Sequence, residues 1–132
     1  MIVAVSRRGD FDRLRQLGVR RSGPTLALTA VTASEWAAAD HHHHDEPHRG
    51  APHADGDVHV AFAIPSALGS AVHRNRARRR LKAALGQLLV EGRLEAGWYL
   101  IACRRLSPPL PFEELLDELA RLTASATAEP TG

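Results

Sequence analysis

Residues 58–82 read VHVAFAIPSALGSAVHRNRARRRLK, and this stretch predicts a strand, a turn and a helix in succession. From Val58 to Ile64 every second side chain is apolar, and the row between them is small or polar, as in a strand. Ser70 is a suitable N-cap for the helix that follows. The apolar side chains of that helix recur at three- and four-residue steps: Ala77, Leu81, Ala84, Leu85 and Leu88.

The first half of this helix is strongly basic. Six cations fall within nine residues and fan around the helix away from its apolar stripe: Arg74, Arg76, Arg78, Arg79, Arg80 and Lys82. Like charges one turn apart destabilise a helix by roughly a few tenths of a kcal/mol per pair, and no acidic residue lies between His73 and Val90. A helix that is merely soluble usually mixes charge signs. A nucleic acid is therefore the favoured partner.

Charge is segregated along the whole chain, although the net charge is only +2. Residues 1–34 carry +4 and residues 59–105 carry +7, whereas residues 35–58 carry −5 and residues 106–132 carry −4. All but one of the seventeen basic residues are arginine, whose planar guanidinium suits phosphate, although a GC-rich genome produces the same bias. The chain can thus present a basic face to a polyanion.

Length and composition predict a single domain over residues 1–132. No apolar run approaches the roughly 20 residues of a membrane span, and residues 1–8 lack a secretory signal, so we expect a cytoplasmic protein without a membrane partner. The lone Cys103 cannot form a disulfide within the chain. The core must therefore be held together by burial.

Other segments predict an α/β or α+β fold in which helices and strands interleave. The apolar spacing predicts a helix from Arg8 to Leu17 and a last helix that begins at Phe112. Strands are predicted over Thr25 to Thr32 and Trp98 to Cys103.

Residues 37–57 fit neither the helical nor the strand period of apolar residues, and they predict a flexible insert. Residues 125–132 predict a loose tail. The insert contains six histidines, which could chelate a transition metal: His41, His42, His43, His44, His48 and His53. Structural metal sites need ligands held in a fixed geometry, which a biased loop lacks. We therefore expect a solvated insert and assign no metal ligand.

The order of segments resembles the protein subunit of bacterial ribonuclease P. That family has a strand, a Gly-Lys-Ala-Val turn, and then Arg-Asn-Arg followed by a basic run and leucine. This chain matches it without a gap through VAFAI (60–64), LGSAV (68–72) and RNRARRRL (74–81). The resemblance extends to the predicted first helix at Gly9, Asp10 and Phe11, to the strand 99–104, and to the last helix at 112–115.

The resemblance implies an α/β sandwich with a mixed sheet of about four strands, about three helices, and a left-handed crossover into the Arg-Asn-Arg helix. It also implies a protein without catalytic residues that binds a catalytic RNA and the 5′ leader of precursor transfer RNA. The Mg²⁺ ions of the reaction would be held by the RNA. The free protein is expected to be a monomer.

The resemblance further implies which residues bind RNA. Contacts to the catalytic RNA are expected from Arg74, Asn75, Arg76, Arg78, Arg79, Arg80 and Lys82. The leader-cleft candidates are Phe11, Phe62, Tyr99 and Arg104. From the residues alone, Phe11 suits core or cleft equally, Phe62 favours the core, and Tyr99 suits either. Asn75 could instead cap or pin the turn, and Arg104 could pair with the acidic last helix.

Two segments depart from the family pattern. Pro65, Ser66 and Ala67 stand where relatives commonly have Ser-Lys-Lys, and Ser70 replaces the lysine of the turn. Three customary cations are therefore missing, which predicts weaker or more salt-sensitive RNA binding.

Two rival functions are open to the sequence. A stand-alone nuclease needs carboxylates for metals or a histidine acid–base pair, but the acids and histidines cluster outside the core segments. A general RNA-binding or ribosome-associated protein would share the basic helix but gives no reason for the order of strand, turn and Arg-Asn-Arg.

Overall fold

The structure is a computed structural model that describes residues 2–40, 57–106 and 110–127. These ranges form five strands: β1 (Ile2–Ala4), β2 (Val19–Ser22), β3 (Leu26–Thr32), β4 (Val58–Ala63) and β5 (Gly97–Cys103). They also form four α-helices: α1 (Arg8–Leu17), α2 (Ala33–Asp40), α3 (Ala71–Val90) and α4 (Phe112–Thr127). The mixed α+β fold is confirmed, with one strand and one helix more than expected.

The strands form one mixed sheet in the order β1-β4-β5-β3-β2. Strand β4 is parallel to both neighbours, and its register with β5 runs from Val58 opposite Gly97 to Ala63 opposite Ala102. Strand β3 is antiparallel to β5 and to β2. Because β4 and β5 are parallel and α3 connects them, the chain contains the predicted crossover, whose left hand stays a prediction.

Helices pack on both faces of the sheet. On one face, α3 and α4 cover a core that includes Val58, Val60 and Ile101. On the other face, α1 and α2 cover a smaller cluster that includes Ala61 and Leu100. The alternation predicted for residues 58–64 is thus confirmed, since neighbouring side chains of β4 enter different clusters.

A buried carboxylate joins α4 to the start of β3. One oxygen of Glu118 accepts hydrogen bonds from the backbone N–H groups of Thr25 at 3.0 Å and Leu26 at 2.6 Å. A Cβ atom on Gly23 would lie 2.8 Å from the same oxygen, which explains a glycine at this turn. These contacts fix the turn before β3 against the last helix.

The predicted insert and tail are shorter than the sequence suggested. Helix α2 ends at Asp40, so the first four residues of the expected insert are helical. Helix α4 ends at Thr127 and includes the start of the expected tail. The six insert histidines and residues 128–132 lie outside the described residues. Within the described ranges, no helix is long and apolar enough to cross a membrane.

Candidate nucleic-acid interface

Helix α3 begins at a capped turn. The hydroxyl of Ser70 accepts a hydrogen bond from the backbone N–H of His73 at 3.3 Å and lies 2.7 Å from Nδ1 of the same histidine. A short 3₁₀ turn at Ser66–Leu68 and then Gly69 lead the chain into this cap. The predicted N-cap is confirmed. It fixes where the basic helix begins relative to the end of β4.

The N-terminal half of α3 is less buried than its C-terminal half. All four fully buried side chains of the helix lie in its second half: Leu81, Ala84, Leu85 and Leu88. None of residues 71–80 is fully buried, and Ala77 is only half-buried. The basic segment therefore lies on the more exposed half of the helix.

The six cations of this segment differ in exposure. Arg76, Arg79 and Lys82 are exposed, whereas Arg74, Arg78 and Arg80 are half-buried. None of the six forms an ion pair with a carboxylate in the part of the chain that the structure describes. No carboxylate of the described residues therefore neutralises their positive charge, which is available to an anion.

Two of the half-buried arginines are held by neighbouring groups. Arg78 donates from Nη1 to the side-chain oxygen of Asn75 at 2.8 Å, and Arg80 donates from Nη2 to the carbonyl oxygen of Leu110. The Nε atom of Arg74 is buried without a hydrogen-bond partner among the described residues. Asn75 therefore orients a neighbouring guanidinium on the helix surface, whether or not it also touches RNA.

The structure places two of the four leader-cleft candidates in the core beneath α3 and α4. Tyr99 is 1% exposed, and its hydroxyl donates to the carbonyl oxygen of Glu95 at 2.6 Å. Burial, together with the charge of Glu95, raises the pKa of Tyr99 well above its ordinary value. Phe62 is half-buried and packs against the same core. Neither residue can line a cleft together with Phe11, which lies on the opposite face.

Phe11 is half-buried on the face that α1 covers. It packs against a cluster formed by Leu14, Val31, Trp36, Ala61, Trp98 and Leu100. Ala63 is also half-buried and packs against this cluster, so small sheet side chains lie on the same face as the ring. Phe11 is therefore partly buried against this cluster and partly accessible to solvent.

Arg104 is exposed and holds the end of β5 to the turn before β3. Its backbone N–H donates to the carbonyl oxygen of Thr25 at 2.8 Å, and its Nη1 donates to the carbonyl oxygen of Gly23 at 2.8 Å. Within the described ranges it forms no ion pair with α4. Of the four candidates, Phe11 is the one that packs against the cluster on the α1 face with its side chain partly accessible.

A stack of four side chains on the α1 face was not predicted. The indoles of Trp36 and Trp98 lie 3.8 Å apart, and the His59 ring lies 4.0 Å from Trp98. The guanidinium of Arg13 lies 4.1 Å above the Trp36 ring and donates to the Trp36 carbonyl oxygen. The stack joins α1, α2, β4 and β5 and closes one end of this face.

The comparisons with known proteins agree with these observations. Residues 3–127 match the model of the family described as Ribonuclease P. The chain belongs to the ribonuclease P protein family. A ribonuclease P protein component of Chloroflexus aurantiacus is 30% identical over 123 residues, covering 92% of this chain and 75% of the relative. One from Brucella melitensis is 31% identical over 120 residues, covering 91% and 77%.

Solved structures of ribonuclease P proteins share the fold. The Staphylococcus aureus protein superposes with a TM-score of 0.68 at 13% identity, over 94% of both chains. The Thermotoga maritima protein superposes with a TM-score of 0.68 at 11% identity, over 95% of this chain and 98% of that one. The resemblance based on residues 58–82 is thereby confirmed, and neither rival function is favoured.

Proposed function

We propose that this chain is the protein subunit of ribonuclease P, binding the catalytic RNA and the 5′ leader of precursor transfer RNA in the cytoplasm. One observation carries the proposal: the basic half of α3 is the more exposed half of the helix, and its six cations have no carboxylate partner among the described residues. Family membership identifies the polyanion as RNA.

Helix α3 supplies the contacts to the catalytic RNA. The exposed Arg76, Arg79 and Lys82 are free to reach phosphates, and each contact releases condensed counterions from the RNA. Arg78, held by Asn75, has a guanidinium already oriented for a phosphate. Binding also relieves the repulsion between like charges on the helix.

The α1 face supplies the contacts to the leader. The partly accessible ring of Phe11 offers apolar and stacking surface to an unpaired base. Arg20 is exposed on β2 and lies opposite Thr29 in the register. Paired residues of neighbouring strands point to the same face, so Arg20 and Thr29 both lie on the face that α1 covers, where Val31 of β3 also packs. We include Arg20 in this leader site as a phosphate contact.

The Mg²⁺ ions of the reaction are assigned to the RNA and its interface. Mg²⁺ in proteins is held mainly by carboxylates and water. Within the described ranges, no three histidine, cysteine, aspartate or glutamate side chains come together as a group that could hold a metal ion. The protein's contribution is therefore positioning: it holds RNA phosphates on α3 and leader bases on the α1 face.

The proposal is tested by cleavage of precursor transfer RNA by the catalytic RNA at low Mg²⁺ concentration, with and without the protein. We expect the protein to restore cleavage and to show none by itself. Sedimentation of the free protein should give a monomer. Cleavage unaffected by the protein, or nuclease activity that stays with the protein after all RNA is removed, would contradict the proposal.

A further inference from the structure

A cavity of about 420 Å³ lies beneath the basic half of α3. Its other walls are the start of β3, the end of β5 and residues that precede α4. The volume lies within the range of roughly 300–1,000 Å³ that is usual for small-molecule sites. The cavity is therefore large enough for a ligand of several polar and apolar groups.

The floor and the rim of this cavity differ in chemistry. The floor is apolar and includes Leu26, Leu81 and Leu106. The rim carries four side chains that can bind an anion: His73, Arg76, Arg80 and Arg105. None of the described residues that line the cavity is an aspartate or glutamate. An apolar floor beneath a cationic rim suits a ligand that is flat and apolar at one end and negatively charged at the other.

Two further groups fit the floor to such a ligand. Burial raises the pKa of the Cys103 thiol to about 11, so the floor is uncharged at neutral pH. Thr25 lines the cavity and is 8% exposed, and its hydroxyl has no hydrogen-bond partner among the described residues. Rotation about χ1 exchanges the methyl and hydroxyl positions of threonine. The hydroxyl can thus be turned toward the edge of a bound ring.

We propose that this cavity binds one unpaired nucleobase of the partner RNA, with the adjoining phosphate on Arg76 and Arg105. This inference rests on the proposed function, and it adds a base-binding site to the phosphate contacts of α3. Arg80 is held by the Leu110 carbonyl at the rim and presents a guanidinium plane beside the base. A purine buries more apolar surface than a pyrimidine, so purines should bind more tightly.

The first experiment titrates the free protein with AMP, GMP, CMP, UMP and inorganic phosphate, and follows methyl resonances by NMR. We expect AMP and GMP to shift the methyl groups of Leu68, Leu81 and Leu106. Phosphate alone should leave these resonances unchanged. Equal shifts from phosphate and from the nucleotides, or no shift at these leucines, would contradict a base-binding cavity.

The second experiment fills the cavity without changing charge. Ala77 lines the cavity, whereas Ala83 is exposed on the same helix and does not. Ala77→Met should weaken purine nucleotide binding by about tenfold or more, and Ala83→Met should not. Arg105→Gln, outside the helix, should weaken binding of nucleotides while the thermal midpoint holds. Unchanged nucleotide affinity in both Ala77→Met and Arg105→Gln would overturn the proposal.

The two proposals can fail separately. If nucleotides do not bind the cavity but the protein still restores cleavage of precursor transfer RNA, the base site is wrong and the subunit function stands. If nucleotides bind the cavity as expected but cleavage is unaffected by the protein, the subunit function is wrong and the nucleotide-binding cavity stands. Ala77→Met in the reconstituted holoenzyme should also weaken assembly with the RNA relative to Ala83→Met.

Discussion

The indole of Trp36 lies flat on that of Trp98, with ring centroids 3.8 Å apart and ring planes 11° apart. Trp36 belongs to α2 and Trp98 to β5, so this contact fixes the helix that precedes the histidine-rich insert against the sheet. Both indoles are buried. Helix α2 is therefore anchored at one end of the α1 face, beside the surface that we assign to the leader.

Trp36→Ala should destabilise the domain. Removing a buried tryptophan costs about 3–5 kcal/mol, because the lost contacts leave a cavity. Urea denaturation followed by circular dichroism measures the free energy of unfolding. Trp36→Phe, which keeps an aromatic ring over Trp98, should lose much less stability.

Deleting residues 41–56, by contrast, should leave folding and RNA binding nearly intact. The sequence of this segment has no periodic pattern of apolar residues, and the deletion keeps every residue of α2. A loss of more than about 1 kcal/mol in the same measurement would mean that the insert packs on the domain.

Glu118→Ala should destabilise the attachment of α4 to β3. The substitution leaves the backbone N–H groups of Thr25 and Leu26 without their acceptor, at a cost of about 1–3 kcal/mol for each buried donor. Glu118→Gln keeps an oxygen acceptor and should be milder. Glu113→Ala, at an exposed position of the same helix, is the matched control. Equal stability of the Glu118→Ala and Glu113→Ala proteins would disprove this role.

Phe11→Ala should reduce the affinity for precursor transfer RNA and leave that for mature transfer RNA unchanged. Stacking of one base on an aromatic side chain contributes about 1–3 kcal/mol. Leu17→Ala is the control, since Leu17 is half-buried on the same helix and packs against the same cluster. If both variants lose stability equally and neither discriminates between the two RNAs, Phe11 is a core residue only.

The free energy of unfolding should fall at alkaline pH because of Cys103. Its pKa is raised from 9.0 to about 11 in the folded protein, mainly by burial. Well below pH 9 the thiol is protonated in both states, so its contribution is constant. Between pH 9 and 11 the unfolded chain releases the proton more readily, which costs on the order of 2–3 kcal/mol. The wild-type curve minus that of Cys103→Ala should show this loss, and parallel curves would refute it.

Local signals predicted α1 and the succession of β4 and α3. Arg8 to Leu17 carries its own apolar stripe and ends before a glycine, so its bounds can be read from neighbouring residues. The same holds for the alternation from Val58 and for the Ser70 cap. Strand β2 is different, because Val19–Ser22 is short and polar and forms only by pairing with β3. Helix α2 likewise depends on a tryptophan 62 positions further along the chain.

The sequence left the position of Tyr99 open for a physical reason. Strand β5 is buried on both faces, so its sequence has no polar row to show which side chains point toward α1. Only its register with β4, in which Tyr99 lies opposite Val60, assigns the tyrosine to the α3 and α4 face. The basic helix needed no such information, since six cations within nine residues are visible from the sequence alone.

The most direct test of the central claim is the salt dependence of binding to the catalytic RNA. Arg79 and Lys82 are exposed on α3 and do not line the cavity, so we compare Arg79→Ala/Lys82→Ala with Arg93→Ala/Arg121→Ala, which removes the same charge elsewhere. The slope of log affinity against log salt should fall by about 0.7–0.9 per lost contact in the first variant only, with unchanged stability. Equal slopes in the two variants would show that α3 is merely a solvated surface.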